Sequence, residues 1–220
     1  IVDATARLVR APEVRFAASE IGLEAFGYNI ENRHLLAALD ARAQTLSSLT
    51  RIEDEARAVE TTESRVSVSL RGGDRIAAKL VIGADGRRSL CRTAAGIESD
   101  GHTYPQTALT FNLAHARPHQ DTSTEFHTEN GPFTLVPLPG DRSSLVCVVE
   151  PTDAERIAAL DGAVLNDEIE QRSHSILGRI TIEPGRGIFP LAVETVRSFG
   201  QSRIALVGEA AHLIPPIGAQ

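Results

Sequence analysis

Two short apolar runs in this chain each end in glycine and then, within two residues, a carboxylate. Leu80, Val81 and Ile82 lead to Gly83, Ala84 and Asp85, while Ile204, Ala205, Leu206 and Val207 lead to Gly208 and Glu209. A continuous rather than alternating apolar run of this length predicts a strand buried on both faces of a parallel sheet. Glycine ends the strand, and the carboxylate after it stands at the carboxyl edge, where open α/β sheets hold their ligands. The pair predicts that strands 80–83 and 204–207 run parallel within one sheet, with Asp85 and Glu209 at a common end. Ala210 and Ala211 are small enough for another chain segment or a flat ligand to come close. Pro215, Pro216 and Gly218 stiffen and then free the backbone, so that its N–H groups can point at a ligand.

Between the two strings the pattern becomes alternating. Residues 66–70 alternate cleanly, Gly72-Gly73-Asp74 forms a hairpin turn, and residues 75–78 start the return. Leu109, Phe111 and Leu113 alternate with Thr110 and Asn112, and residues 133–138 and 144–149 flank the turn signal Pro139-Gly140-Asp141-Arg142. Shorter strands are expected at Val14-Arg15-Phe16 and Thr50-Arg51-Ile52, and residues 176–194 read as strand and loop. Three helices are expected, one starting at the Arg87, Arg88 and Arg92 cluster and two with clear apolar stripes. Asn32 caps one with the stripe Leu35, Leu36, Leu39 and Ala43. Thr152 and Glu155 form a capping box before the other, whose stripe is Ile157, Leu160, Val164, Leu165 and Ile169.

Composition removes several function classes. A net charge of −7 argues against a nucleic-acid surface, which needs concentrated Lys and Arg. No apolar run approaches the roughly 20 residues of a membrane span, and no signal peptide is visible. Cys91 and Cys147 have no metal-ligand spacing and read as free thiols. His115 and His119 are four apart, but Pro118 spoils a helix between them and no metal site is expected. There is neither a Gly-x-Ser-x-Gly elbow nor a Walker loop. The chain has no Met, so an internal piece of a longer protein is expected.

The string Gly208-Glu209-Ala210-Ala211-His212, continued by Pro215-Pro216-Ile217-Gly218-Ala219-Gln220, resembles the second flavin-binding motif of the FAD-dependent aromatic hydroxylases, the p-hydroxybenzoate hydroxylase type of group A flavin monooxygenase. Glu209 replaces that family's usual Asp, and the ending resembles the branch that hydroxylates ubiquinone precursors. Asp85 and Gly86, followed by Ser89 and Arg92, match the family's Asp-Gly motif near the flavin pyrophosphate and the path of the nicotinamide coenzyme. Arg87, Arg88 and Arg92 add positive charge suited to phosphate.

The resemblance implies an α/β (α+β) fold: a partial three-layer FAD-binding domain with an inserted antiparallel substrate-binding sheet. Residues 1–30 would be substrate-domain strands, 31–99 part of the FAD-binding domain, 100–195 the substrate sheet and helix, and 196–220 a truncated FAD-binding part. The dinucleotide Gly-x-Gly-x-x-Gly fingerprint would lie before Ile1 and a flavin-binding helix after Gln220, which would leave the strands near Leu80 and Ile204 with an unpaired edge or apolar face. The chain alone would then hold FAD weakly.

The resemblance also implies FAD and NAD(P)H as cofactors, O2 as co-substrate, and an aromatic substrate, a polyprenylated phenol of ubiquinone biosynthesis. It implies no catalytic side chain. Glu209 would hold a ribityl hydroxyl, with Gly208 ending its strand. Asp85 and Gly86 would order the diphosphate region. Gly218, Ala219 and Gln220 would offer backbone N–H groups to the flavin ring, and Pro215 and Pro216 would wall the substrate side. Arg33, in the first turn of its helix, reads equally as a flavin contact or a surface residue beside a cap. The implied location is cytoplasmic, with association to the inner membrane or a biosynthetic complex left open, as is the oligomeric state. Two alternatives stand: another flavin reaction on the same fold, such as a reductase or halogenase, and a non-catalytic binding module. The chain has no Trp, which lowers the halogenase reading.

Overall fold

The computed structural model describes residues 1–215. In chain order the elements are β1 (Val2–Asp3), α1 (Asn32–Gln44), β2 (Ala56–Thr61), β3 (Val66–Leu70), β4 (Arg75–Ala78), β5 (Val81–Gly83), α2 (Leu90–Ala95), β6 (Ser99–His115), β7 (Thr124–Thr128), β8 (Gly131–Leu138), β9 (Arg142–Val149), α3 (Pro151–Ala159), α4 (Gly162–Arg172), β10 (Ile180–Val196), β11 (Gly200–Gln201), β12 (Ile204–Leu206) and β13 (His212–Leu213). They form two compact units, residues 1–45 with 104–191 and residues 46–103 with 192–215. β6 and β10 each run from one unit into the other. The mixed α and β fold read from the sequence is present.

In the first unit the strands lie in the order β1-β7-β8-β9-β6-β10. β8 and β9 form the expected hairpin, with Phe133 opposite Cys147 and Leu135 opposite Leu145, and β6 continues the antiparallel sheet by pairing with β9. Alternation sends one set of side chains to each face. Leu109, Phe111, Leu113, Phe133, Leu135, Leu145, Cys147 and Val149 pack with Ala154 and Ile157 of α3 and Leu165 and Ile169 of α4 into the main core. Phe126 and Phe133 meet edge to face across β7 and β8, ring centroids 5.7 Å apart. On the opposite face Ala108, Val146, Val148 and Leu191 form a smaller apolar cluster.

Four expectations in this unit are corrected. The single helix after Thr152 is two: Leu160 takes an extended conformation (φ −64°, ψ 141°) after α3, and α4 starts at Gly162. The capping box does not form, because Glu150 holds the cap position, without a side-chain bond, and Pro151 starts the helix. Val14-Arg15-Phe16 is not a strand, since no neighbouring strand offers it a ladder. Val14 N–H bonds the carbonyl of Ile1 at 3.1 Å and the segment stays largely exposed. The sheet is joined instead by Val2 and Asp3, parallel to β7. α1 begins at Asn32 with Glu31 at the cap, and Leu36 and Leu39 of its stripe are exposed.

The second unit contains the meander β2-β3-β4 and the sheet β11-β12-β5. The hairpin at Gly72-Gly73-Asp74 pairs Val66 with Ala78 and Val68 with Ile76. β2 was not anticipated, and Thr50-Arg51-Ile52 is irregular chain instead. β5 and β12 are parallel neighbours, as expected, with Ile204 opposite Val81 and Leu206 opposite Gly83. They are not buried on both faces. Ile204, Leu206 and Gly83 are buried with Cys91 and Ala95 of α2, whereas Leu80, Ile82 and Val207 are about half exposed. The physical reason is that α2 covers one face only, and β5 is an edge strand among the described residues.

Candidate functional site at the edge of the parallel pair

The parallel register decides where the two acid strings go. Because Gly83 lies opposite Leu206, both chains leave the sheet at the same edge, and Val207 N–H still bonds the carbonyl of Gly83 at 2.9 Å. From there one chain turns through Asp85-Gly86 and the other through Gly208-Glu209. Gly86 (φ +75°) and Gly208 (φ +59°) both take the left-handed conformation that glycine adopts without strain, and no atom lies within 4 Å of where a Cβ would stand on either. Both turns therefore have bare, approachable backbone.

The two carboxylates serve different ends. Asp85 is exposed but engaged with the start of α2: the Ser89 hydroxyl donates to its Oδ1 at 2.6 Å and the Cys91 N–H to its Oδ2 at 3.1 Å. Burial works against its charge, yet these bonds prevail and hold the carboxyl below the ordinary aspartate range. Its neighbour Cys91 is pushed up to about 11, by burial first and by the Asp85 charge second, and is an unreactive thiol. Glu209 lies in a short 3-10 turn, Gly208–Ala210, exposed and without a hydrogen-bond partner among the described residues. It is the acceptor at this edge with capacity to spare.

Much of the α2 start is engaged by the chain itself. Its backbone donors are already used: Cys91 N–H by Asp85, Arg92 N–H by the Ser89 hydroxyl at 2.9 Å, and Thr93 N–H by the Ser89 carbonyl. Arg92 is also committed, donating to the carbonyls of Arg87 at 2.6 Å and Ala210 at 3.1 Å. Only Arg87 and Arg88 project exposed and without an ion-pair partner among the described residues. Ala210 and Ala211 are almost wholly buried in the core of the unit, so their small size serves chain packing.

The structure thus brings Asp85, Gly86, Gly208 and Glu209 together at one strand edge. Arg33 lies on α1 in the other unit, 3.0 Å from Glu31. Pro216, Gly218, Ala219 and Gln220 lie outside the described residues. Sequence reasoning missed the part played by Arg92 and Glu194, whose Oε1 lies 3.5 Å from the Arg92 guanidinium. Ser89 three residues before Arg92 is the spacing of a helix cap and was a usable signal for the first half of that arrangement. The partner carbonyl of Ala210 is far away in sequence and gave none.

A free carboxylate for hydroxyl groups, two left-handed glycines and two unpaired guanidinium groups fit a ligand that combines a polyol with phosphates. Residues 27–220 match the model of a family described as FAD binding domain. The chain is 34% identical over 195 residues to ubiquinone hydroxylase UbiL of Rhodospirillum rubrum, covering 88% of this chain and 46% of that protein. It is 33% identical over 208 residues to 3-demethoxyubiquinol 3-hydroxylase of Escherichia coli, covering 94% of this chain and 53% of that protein. The chain thus spans about half the length of these curated relatives. Among solved structures, p-nitrophenol 4-monooxygenase of Pseudomonas putida superposes with a TM-score of 0.65 at 18% identity, over 85% of this chain and 49% of that one. At that identity the likeness speaks for the fold.

Proposed function

The chain belongs to the FAD binding domain family, and from that membership we propose that the protein is a flavin-dependent monooxygenase that hydroxylates an aromatic ring, with NAD(P)H and O2 as co-substrates. The observation that carries the reading is the common edge of β5 and β12, where an unpaired Glu209 and the turns at Gly86 and Gly208 leave the sheet together. The ubiquinone hydroxylases among its relatives favour a polyprenylated phenol as substrate.

In this reading Glu209 accepts a hydrogen bond from a ribityl hydroxyl. Gly86 and Gly208 let backbone approach the cofactor closely, and Arg87 and Arg88 face its phosphates or those of the nicotinamide coenzyme. Asp85 holds its loop in shape and so orders the diphosphate region. FAD, when bound, supplies the redox chemistry by which NAD(P)H and O2 yield a ring hydroxyl and water. The chain contributes placement and no side-chain nucleophile. We assign residues 46–103 and 192–215 to cofactor binding, and the antiparallel sheet of the first unit to the substrate. Pro216, Gly218, Ala219 and Gln220 are assigned to the flavin ring, and Arg33 to the cofactor, on resemblance alone. No helix among the described residues is long and apolar enough to cross a membrane.

The test is product analysis with the intact protein, FAD, NAD(P)H, O2 and a prenylated phenol. The reading expects a product heavier by one oxygen atom, with the label when 18O2 is supplied. Reduction or halogenation of the substrate without oxygen incorporation would replace it with another flavin reaction.

A further inference from the structure

We propose that His119 is an acid-sensitive clamp on the turn between β6 and β7, closed while its ring is neutral and released when the ring takes up a proton. The turn runs from His119 to Thr122, whose N–H bonds the His119 carbonyl at 3.0 Å. Its two central residues, Gln120 and Asp121, both have φ +52°. Two-residue turns of that hand favour Asn-Gly, because a side chain in the left-handed region is strained. Here neither residue is glycine, and the His119 ring supplies the extra hold. Its Nε2 lies 3.0 Å from the carbonyl oxygen of Leu138 and 2.9 Å from that of Gly140, so that nitrogen carries the hydrogen. Nδ1 is then the acceptor, and it takes the Asp121 N–H at 3.0 Å. One neutral imidazole thus pins the strained turn to the end of the β8–β9 hairpin.

A proton on Nδ1 turns this acceptor into a donor that faces the Asp121 N–H, while the two bonds from Nε2 remain. The turn is released from the ring and the hairpin is not. The Asp121 carboxylate lies 3.9 Å from Nδ1, but it is wholly exposed and water-screened, too weak a partner to offset two opposed donors. His115, at the end of β6, meets the His119 ring edge to face with centroids 5.5 Å apart and offers it no acceptor. The buried His115 ring has Nε2 3.1 Å from the Ser143 hydroxyl, and its Nδ1 has no partner among the described residues. The other charged groups on the flanking segments are engaged or solvated. Arg117 donates to the carbonyl of Ser175, Arg142 is held by Glu183 and Glu31, and Asp141 and Arg179 are exposed.

The experiment follows amide hydrogen exchange in the intact protein between about pH 8 and pH 5, the range in which histidine changes charge, with rates corrected for intrinsic exchange. Wild type, His119→Ala and Asp121→Asn are compared, and NMR of the His119 ring reports its titration. The proposal expects the Asp121 amide of wild type to lose about tenfold in protection toward acid, the worth of one hydrogen bond, with the same midpoint as the ring. The β9 amides should keep their protection. His119→Ala should show the unprotected turn at every pH, and Asp121→Asn should release as wild type does. Equal protection of Asp121 at both ends of the range would overturn the clamp. So would greater protection in acid, or loss of the response in Asp121→Asn, because either gives control to the carboxylate. Parallel loss in the β9 amides also counts against it, since that marks general acid unfolding. Should His119→Ala fail to fold, the wild-type and Asp121→Asn titrations decide.

Discussion

Gly83 lies opposite Leu206 in the parallel β5–β12 pair, and a Cβ on residue 83 would stand 2.5 Å from the Cβ of Cys91 and 3.0 Å from Cδ2 of Leu206. α2 therefore packs directly on the strand pair because residue 83 has no side chain, and the loop from Asp85 to Ser89 is kept short and close by that contact. Gly83→Ala should push α2 outward and destabilise the protein by about 1–3 kcal/mol, the usual cost of overpacking. A chemical denaturation midpoint equal to that of wild type would mean that α2 yields freely.

Asp85 accounts for two hydrogen bonds at the start of α2. Asp85→Ala should cost about 0.5–2 kcal/mol, as for loss of a helix cap, and Asp85→Asn less, since it keeps one acceptor oxygen. The sign with pH follows from the lowered carboxyl. Its contribution is complete above the unfolded aspartate pKa of about 3.9 and is lost as pH falls through the lower folded value. The stability gap between wild type and Asp85→Asn should therefore close in acid. A gap that widens on acidification would contradict the assignment.

Arg142 donates from Nε and Nη2 to Glu183, both at 2.6 Å, and reaches Glu31 at 3.2 Å. Both carboxyls are held below the ordinary glutamate range, chiefly by their bonds from Arg142. This tie secures the chain entering α1. Its stabilisation is present above the unfolded glutamate pKa of about 4.3 and disappears as pH falls through the folded values. Wild type should lose urea resistance more steeply between about pH 5 and pH 3 than Arg142→Gln does. Parallel curves for the two proteins would show that the tie contributes nothing.

Arg172 and Arg156 bridge Asp153 on α3 to Glu168 on α4, with Arg172 at 2.8 Å and 2.9 Å from the two carboxylates. Arg172 is partly buried over Cys147, so Arg172→Met should cost about 1–2 kcal/mol, between the values for exposed and buried pairs. Thermal melts at low and high salt check it: the loss should shrink only in part at high salt, because the pair is not fully solvent-screened.

How much of this was legible in the sequence varies by residue. The parallel pairing of 80–83 with 204–207 was readable because an apolar run ending at Gly and a carboxylate is a local pattern with one common structural meaning. The β8–β9 hairpin was readable from Pro139 and Gly140. The break between α3 and α4 was not: Leu160 fits a helical stripe, and only the local backbone choice at Leu160-Asp161-Gly162 divides it. Burial on both strand faces was inferred from hydrophobicity alone, which cannot report whether a second layer covers Ile82. Within the site, Glu209 was found by its position after the strand, but the Arg92 bridge joins carbonyls that are remote in sequence, and carbonyls leave no mark in a residue string.

The central claim is that the β5–β12 edge binds FAD through Glu209. It is tested most directly by titrating the intact apoprotein and its Glu209→Ala and Glu209→Asp variants with FAD. Loss of one charge-assisted hydrogen bond is worth about 1.5–3 kcal/mol, so Glu209→Ala should bind FAD about tenfold to a hundredfold more weakly, with Glu209→Asp close to wild type. FAD affinity in Glu209→Ala equal to that of wild type would contradict the account and return Glu209 to an ordinary solvated carboxylate.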